Sequence, residues 1–375
     1  MPKKRTSGDG SIIFVDGREK PWRARSSRAN GRTAQNRFFT TKAEASAWLR
    51  GTGADIDAGT RIDPSKTTLA QWFQRWLEVY IRPSVRIRTY EGYADMIRLH
   101  INPALGHIPI QALTPADLQG LLNSKAEEGY ARRTLVYILS TIRPALKQAM
   151  LEGLVNRNIS DAVKVPKGAV RPPAKQALTR QEIQAIQNAI ENQRLSIAFR
   201  TLANTGMRIG EMLALTWDDI DNLNSRILIK KAITATQSQG IVIGETKTES
   251  SNRDIPVSQN LLDHLKAWKG YQTEERLAAG REWTDHGNII FTMEFGTRIR
   301  QEWLSNTLRK TAEKLNIYCT PHILRHSYAS LLIQGGVDPK TVQKLLGHST
   351  PRTVMEIYAH SSDEAKRKAI NVLGL

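Results

Sequence analysis

The sequence predicts an α+β fold, mainly α, on three observations. Three short apolar or alternating runs crowd the first 40 residues, helical apolar stripes fill residues 66–160, and from residue 179 onward helical patterns flank a group of short β-branched runs. At 375 residues the chain exceeds one ordinary core, so two or three domains are expected.

The first domain, residues 1–60, reads as three strands plus a helix. Residues 11–15 are β-branched and apolar, and Asp16-Gly17 is a turn signal. Residues 21–28 alternate, with Trp22 and Ala24 on one face and Arg23 and Arg25 on the other. A third strand is expected at 35–40, then a helix at 41–50 whose apolar stripe is Ala43, Ala45, Trp48 and Leu49. Residues 51–66, with Gly51, Gly53, Gly59 and Pro64, read as a linker.

Residues 66–162 read as a helical unit. Thr68 opens a helix with Gln71 as its capping-box partner, and Leu69, Trp72, Phe73, Trp76, Leu77 and Tyr80 form the buried face. Further helices are expected at 88–100, 114–129 and 132–152, the second of these starting with an N-cap threonine and a proline, Thr114-Pro115. Residues 163–178 read as a basic linker, because Pro166, Pro172 and Pro173 cannot sit in one continuous helix.

Thr179 with Glu182 forms a second capping box and starts the last domain, residues 179–375. Helices at 180–190 and 195–205 and a third from Ile209 to about Trp217 precede one small sheet made of residues 226–233, 240–245 and 253–257. Later helices are expected at 259–269, 300–315, 322–334, 339–346, 351–358 and 362–372.

Charge is the strongest compositional signal. The chain holds 54 Lys and Arg against 36 Asp and Glu, a net +18 with a pI near 10.0. Residues 1–60 hold 12 basic and 6 acidic groups, residues 61–175 hold 17 and 9, and residues 176–375 hold 25 and 21. The excess therefore sits in the first two segments, where a polyanion would offset the self-repulsion, and these read as the main grips on nucleic acid. In the sheet the candidates are Arg23, Arg25 and Arg37; in the helical unit they are Arg86, Arg88, Arg132, Arg133, Arg143 and Lys147. The single cysteine, Cys319, excludes an internal disulfide and a multi-cysteine zinc site, fits a reducing compartment, and reads as a small buried hydrophobe. No apolar run is long enough to span a bilayer and no secretory signal is evident, so a cytoplasmic protein is expected.

The candidate chemistry contains no obvious metal site. The densest acidic group, Asp218-Asp219-Ile220-Asp221, reads as caps in a solvated connection, and His322 is followed by Ile323 where a zinc-protease helix needs glutamate. Phosphodiester transfer without a metal requires fixed positive charge around phosphorus, and arginine supplies it best. Arg208 and Arg325 are the candidates, within the phrases Thr-Gly-Met-Arg-Ile-Gly-Glu at 205–211 and Thr-Pro-His-Ile-Leu-Arg-His at 320–326. Leu-Gly-His at 346–348 and Tyr358 follow. No Gly-x-x-x-x-Gly-Lys phosphate cradle is present.

In these phrases the chain resembles the tyrosine recombinase family, the phage-type integrases. The resemblance is strong over 176–375, moderate over 66–160 and weaker over 1–60. It places Arg208, Lys247, His322, Arg325, His348 and Tyr358 in the family's catalytic order, with Glu211 as a support that orients an arginine. It implies a site-specific recombinase that integrates or excises a mobile element such as a prophage or conjugative transposon. In that reading Tyr358 attacks the scissile phosphate, a 3′-phosphotyrosyl link forms, and Lys247 protonates the departing 5′-oxygen without a cofactor. It further implies double-stranded DNA as partner at core and arm sites, and a homotetramer on DNA coupled through an apolar-faced tail at 363–375. Accessory bending and directionality factors are further expected partners, in a bacterial cytoplasm at the nucleoid. The alternatives at this stage are a type IB topoisomerase-like DNA relaxing enzyme and a non-catalytic DNA-binding regulator of the same fold.

Overall fold

The structure is a computed structural model that describes residues 10–26, 36–57, 64–167, 176–245, 252–284, 286–347 and 355. The chain divides into two compact units, Met1–Pro172 and Pro173–Leu375, so the boundary falls inside the proline-rich stretch.

In the first unit, strands β1 (Ser11–Phe14), β2 (Trp22–Arg25) and β3 (Asn36–Phe39) form an antiparallel sheet in chain order. Ala24, fully buried, faces α1 (Lys42–Asp57), which contributes the equally buried Ala45 and packs Trp48 beside Phe39. The helix runs to Asp57, past the linker start expected at residue 51, and Ala43 is exposed rather than part of the stripe. Glycine inside a helix costs only about 1 kcal/mol relative to alanine, so Gly51 and Gly53 weaken this turn without ending it.

The helical part follows the sequence closely. Helix α2 (Leu69–Trp76) starts with the expected capping box, Thr68 N–H donating to Gln71 Oε1 at 2.9 Å and Gln71 N–H to Thr68 Oγ1 at 3.3 Å. Leu69, Trp72, Phe73 and Trp76 are buried in one core with residues of α5 (Pro115–Glu127) and α6 (Arg132–Leu151), and the Trp72 indole N–H donates to the Ala145 carbonyl at 3.0 Å. Helices α2 and α3 (Ile87–Met96) each continue through a π-helical turn, Leu77–Ile81 and Ile97–Ile101, and the short α4 (Asn102–Leu105) follows the second. Thr114 caps α5 as expected, with Asp117 closing the box.

The second unit opens with α7 (Arg180–Ala189), capped by the predicted Thr179–Glu182 box, and α8 (Gln193–Thr205). The helix expected from 209 to 217 is shorter: α9 covers only Ile209–Met212. Beyond it the backbone turns away to pair with residues 288–290, with Ile290 N–H on the Leu215 carbonyl at 3.1 Å and Trp217 N–H on the Asn288 carbonyl at 3.0 Å.

The expected single sheet is two. Strands β4 (Ile220–Asp221), β5 (Arg226–Ile229) and β8 (Arg253–Pro256) form one, in the order β4-β5-β8, and β6 (Lys231–Thr236) pairs with β7 (Gly240–Glu245) as a separate hairpin. The run predicted at 226–233 breaks at Lys230-Lys231, both exposed, where the chain leaves one ladder for the other. Helix α10 (Gln259–Ala279) extends past its expected end at 269. Tertiary bonds hold the extension: the Gln272 amide donates to Ile289 and Thr292, and Glu275 pairs with Arg194.

Helices α11 (Gln301–Glu313), α12 (Pro321–Gln334) and α13 (Pro339–Leu346) complete the described unit. The helices expected at 351–358 and 362–372 fall outside the described residues except Met355. Helices α8 and α12 pack together within the main core, which also contains Cys319; burial pushes that thiol up to about 12, in keeping with a hydrophobe's role. Among the described residues no helix is long and apolar enough to cross a membrane.

Candidate active site

Helix α8 ends at Gly206, whose φ of +60° belongs to the left-handed region. A Cβ there would stand 2.4 Å from Cδ1 of Tyr328, so the bare backbone also lets α12 approach. Two residues on, Arg208 is the N-cap of α9, and its backbone N–H donates to Glu211 Oε2 at 2.9 Å. Gly210 permits a second close approach, because a Cβ on it would lie 2.4 Å from the Ile233 carbonyl oxygen of β6. Gly206 and Gly210 are thus set by packing, and Glu211 by charge.

Helix α12 begins with Thr320 accepting the Ile323 N–H at 3.3 Å and with Pro321 in its first turn. His322 is exposed on that turn, while Arg325, one turn later, is 6% exposed. The Arg325 guanidinium donates to the Gly206 carbonyl at 2.9 Å from Nη1 and to the Leu346 carbonyl at 2.8 Å from Nη2. Burial pulls its pKa down to about 9, with the like charge of Arg208 the next cause, so it remains cationic at neutral pH.

Helix α13 ends at Gly347 in the left-handed conformation, φ +63°, immediately before His348. Its final carbonyls lack intrahelical partners and carry the negative end of the helix dipole. Three arginines from three elements satisfy them: Arg253 Nε donates to Leu345 at 2.7 Å, Arg325 to Leu346, and Arg208 Nη2 to Gly347 at 3.3 Å.

Glu211 joins two of these cations. Its Oε1 accepts from Arg208 Nη1 at 2.7 Å and Arg253 Nη1 at 3.3 Å, and its Oε2 accepts from Arg253 Nη2 at 2.8 Å as well as from the Arg208 backbone. The Glu211 side chain is 2% exposed and that of Arg253 7%, whereas Arg208 keeps 46% of its side chain accessible. Burial pushes the Glu211 carboxyl up, but the hydrogen bonds and charges of Arg253 and Arg208 outweigh it and hold it below its ordinary value. The result is a buried cluster of excess positive charge with one guanidinium presented outward.

The structure thus brings Arg208, Arg325 and Glu211 together and places His322 one turn before Arg325. Lys247, His348 and Tyr358 lie outside the described residues. Arg253 was not singled out from the sequence, although its signal is there: strand alternation puts it on the same face as Ile255, which is fully buried. The Asp218–Asp221 group does what its spacing suggested, Asp219 accepting from Thr216 and Asp221 from Asn224.

The nucleic-acid candidates are scattered over the first unit. Arg86, Arg133 and Lys147 are exposed. Arg88 lies 3.8 Å from Glu91 and Arg143 3.9 Å from Asp161, while Arg132 donates to the Pro166 carbonyl at 3.3 Å. In the sheet, register sets Arg23 opposite Phe38 and Arg25 opposite Asn36, but Arg37 opposite Ala24, so Arg37 belongs to the face away from Arg23 and Arg25. Arg18 stacks on Phe38, 4.5 Å from the ring centroid, on the face of Arg23.

Residues 176–365 match the phage integrase family, and residues 68–126 match its N-terminal SAM-like domain. The chain belongs to the phage integrase family, the tyrosine recombinases. It is 28% identical over 362 residues to a tyrosine recombinase XerC-like protein of Caldanaerobacter subterraneus subsp. tengcongensis, covering 92% of each chain. It is 29% identical over 375 residues to an integrase of Streptomyces ambofaciens, covering 96% of this chain and 94% of that one. In fold it is similar to the Tn1549 transposon integrase solved in complex with a circular intermediate DNA, with a TM-score of 0.68 and 22% identity over 82% of this chain and 99% of that one. This integrase-family chain is a site-specific recombinase.

Proposed function

We propose that the chain integrates and excises a mobile DNA element by cutting and rejoining double-stranded DNA through Tyr358. The observation that carries this reading is the convergence of Arg208 and Arg325 on the turn at 345–347, directly before His348. Two guanidiniums fixed by their own chain supply positive charge where the non-bridging oxygens of a phosphodiester gain negative charge in the transition state. No reorganisation is needed at the moment of reaction, because the acceptors that orient them are already in place.

In this reading the Tyr358 phenolic oxygen attacks phosphorus, the bond from phosphorus to the 5′-oxygen breaks, and Lys247 delivers a proton to that oxygen. The phenolic proton leaves with help from His322 or His348, since an ordinary tyrosine titrates near pH 10 and needs a base or nearby cations. The 3′-phosphotyrosyl link conserves the bond, so a 5′-hydroxyl of a second strand reseals it with no nucleotide triphosphate. Charge from Arg208 and Arg325 takes the place of a metal ion. The N-terminal sheet grips arm sites, residues 66–162 grip the core site, and residues 363–375, apolar at Ala365, Ile370, Val372 and Leu373, couple protomers in a tetramer on DNA.

The test is a nicked suicide duplex carrying the attachment junction of the element that encodes the chain, incubated with chelator present. The wild type should form a covalent protein–DNA adduct whose linked peptide contains Tyr358. Tyr358→Phe should bind the duplex and form none. An adduct that survives Tyr358→Phe, or one that requires a divalent metal, overturns the reading.

A further inference from the structure

Arg253 stands at the start of β8, the strand that follows Lys247 in the chain, and reaches two groups that the reaction uses indirectly. Its Nη1 and Nη2 straddle both oxygens of Glu211, and its Nε donates to the Leu345 carbonyl at 2.7 Å. It is the deepest of the connections between Glu211 and the end of α13, with its side chain 7% exposed. Arg208 depends on the same two anchors: Nη1 is held by Glu211 and Nη2 by the Gly347 carbonyl.

We infer that Arg253 is a positioning residue that fixes the outward guanidinium of Arg208 and the turn preceding His348 in one frame with β8. The inference rests on the recombinase reading above. Arg253 acts through Glu211 and Leu345 rather than on the phosphate. Its planar fork is suited to this, because a bidentate grip on a carboxylate sets both distance and rotation, and the third bond ties that plane to a helix end. Lysine could reach Glu211 or Leu345 but cannot hold both in fixed geometry.

The charge balance gives this role a signature that simple packing lacks. Glu211 is faced by Arg208 from its own helix, Arg253 from β8 and Arg325 from α12; the phenol of Tyr328, also on α12, senses Arg253 as well. Burial alone pushes the Glu211 carboxyl up, and Arg253 is the first of the groups that pull it down. Without Arg253 the carboxyl titrates at higher pH, and its neutral form releases Arg208.

The experiment compares full-length wild type, Arg253→Lys, Arg253→Gln and the double variant Arg253→Gln with Glu211→Gln. The readouts are duplex affinity, the rate of adduct formation on the nicked suicide duplex, and the pH dependence of that rate. Arg253→Gln should bind DNA as wild type does and form adduct about 10- to 100-fold more slowly, the usual loss when a group orienting a reactive side chain is removed. Its acid limb should move to higher pH, and the double variant should lose that limb. Arg253→Lys should restore the limb towards the wild-type position and fall between wild type and Arg253→Gln in rate. If Arg253→Gln does not fold, Arg253→Lys carries the test alone, and a wild-type rate from it overturns the inference. So does an unshifted acid limb in Arg253→Gln, or a loss of affinity as large as the loss of rate, which would mark a direct phosphate contact. A wild-type chain that forms no adduct sinks the recombinase reading and this inference together; adducts from wild type with an unaltered Arg253→Gln sink the inference alone.

Discussion

Two sets of arginines, one from each compact unit, live under opposite conditions. In the first, Arg82, Arg88 and Arg98 have side chains 62–67% exposed and pair with carboxylates one helical turn away. In the second, Arg253 and Arg325 are almost fully buried and are held by Glu211 and by backbone carbonyls of two helix ends. Exposed pairs exchange readily with water and contribute little to stability, so a DNA phosphate can replace the carboxylate at small cost. Buried guanidiniums must be fully satisfied by the protein itself, which makes them rigid and makes each acceptor important. The same side chain is therefore exposed and exchangeable in the first set and buried and fixed by the protein in the second.

The sharpest way to break this contrast is to remove the Glu211 carboxylate from the buried cluster. Glu211→Leu removes the buried carboxylate that pairs with Arg208 and Arg253 and should cost about 3–5 kcal/mol of stability, read as a large fall in Tm by calorimetry. The sign with pH follows from the depressed carboxyl: its contribution is full at neutral pH, above the unfolded carboxylate's value, and is lost as pH falls through the lower folded value. Glu211→Gln should flatten that acid dependence of Tm. Gly206→Ala should have the next largest effect, about 1–3 kcal/mol, because it combines a left-handed backbone with a methyl set against the Tyr328 ring. The smallest belongs to the exposed set: Arg98→Ala should change stability by no more than about 0.5 kcal/mol while lowering the salt slope of DNA binding by about one if that side chain touches a phosphate. A loss at Arg98 as large as that at Glu211 would erase the distinction between the two regions.

Where the sequence carried a strong local signal, the structure follows it. The Thr68, Thr114 and Thr179 caps and the buried stripe of α2 stand as their spacing implied, and the helix expected at 322–334 is found as Pro321–Gln334. The misses lie where tertiary pairing outweighs local pattern. Helix α10 continues past Gly270 because Gln272 and Glu275 are held from outside the helix, and α9 stops early because the chain beyond it pairs with residues 288–290. The sheet split at Lys230-Lys231 depends on which strand each half meets, and alternation within a single segment does not encode that. At the site, Arg208, Arg325 and Glu211 were legible from their phrases, whereas Arg253 was hidden in an ordinary strand pattern. Its importance comes from two partners far away in sequence, and only its place on the inward face beside Ile255 hinted at it.

The end of α13 makes three cations depend on a single turn of backbone. Because consecutive carbonyls at Leu345, Leu346 and Gly347 each seat a different guanidinium, a shift of that one turn unseats three cations at the same moment. Substitutions at Arg208, Arg253 and Arg325 should then be strongly non-additive, since the first loss already loosens what the other two hold. One short turn of backbone is thus the common seat of three guanidiniums that come from elements far apart in the sequence.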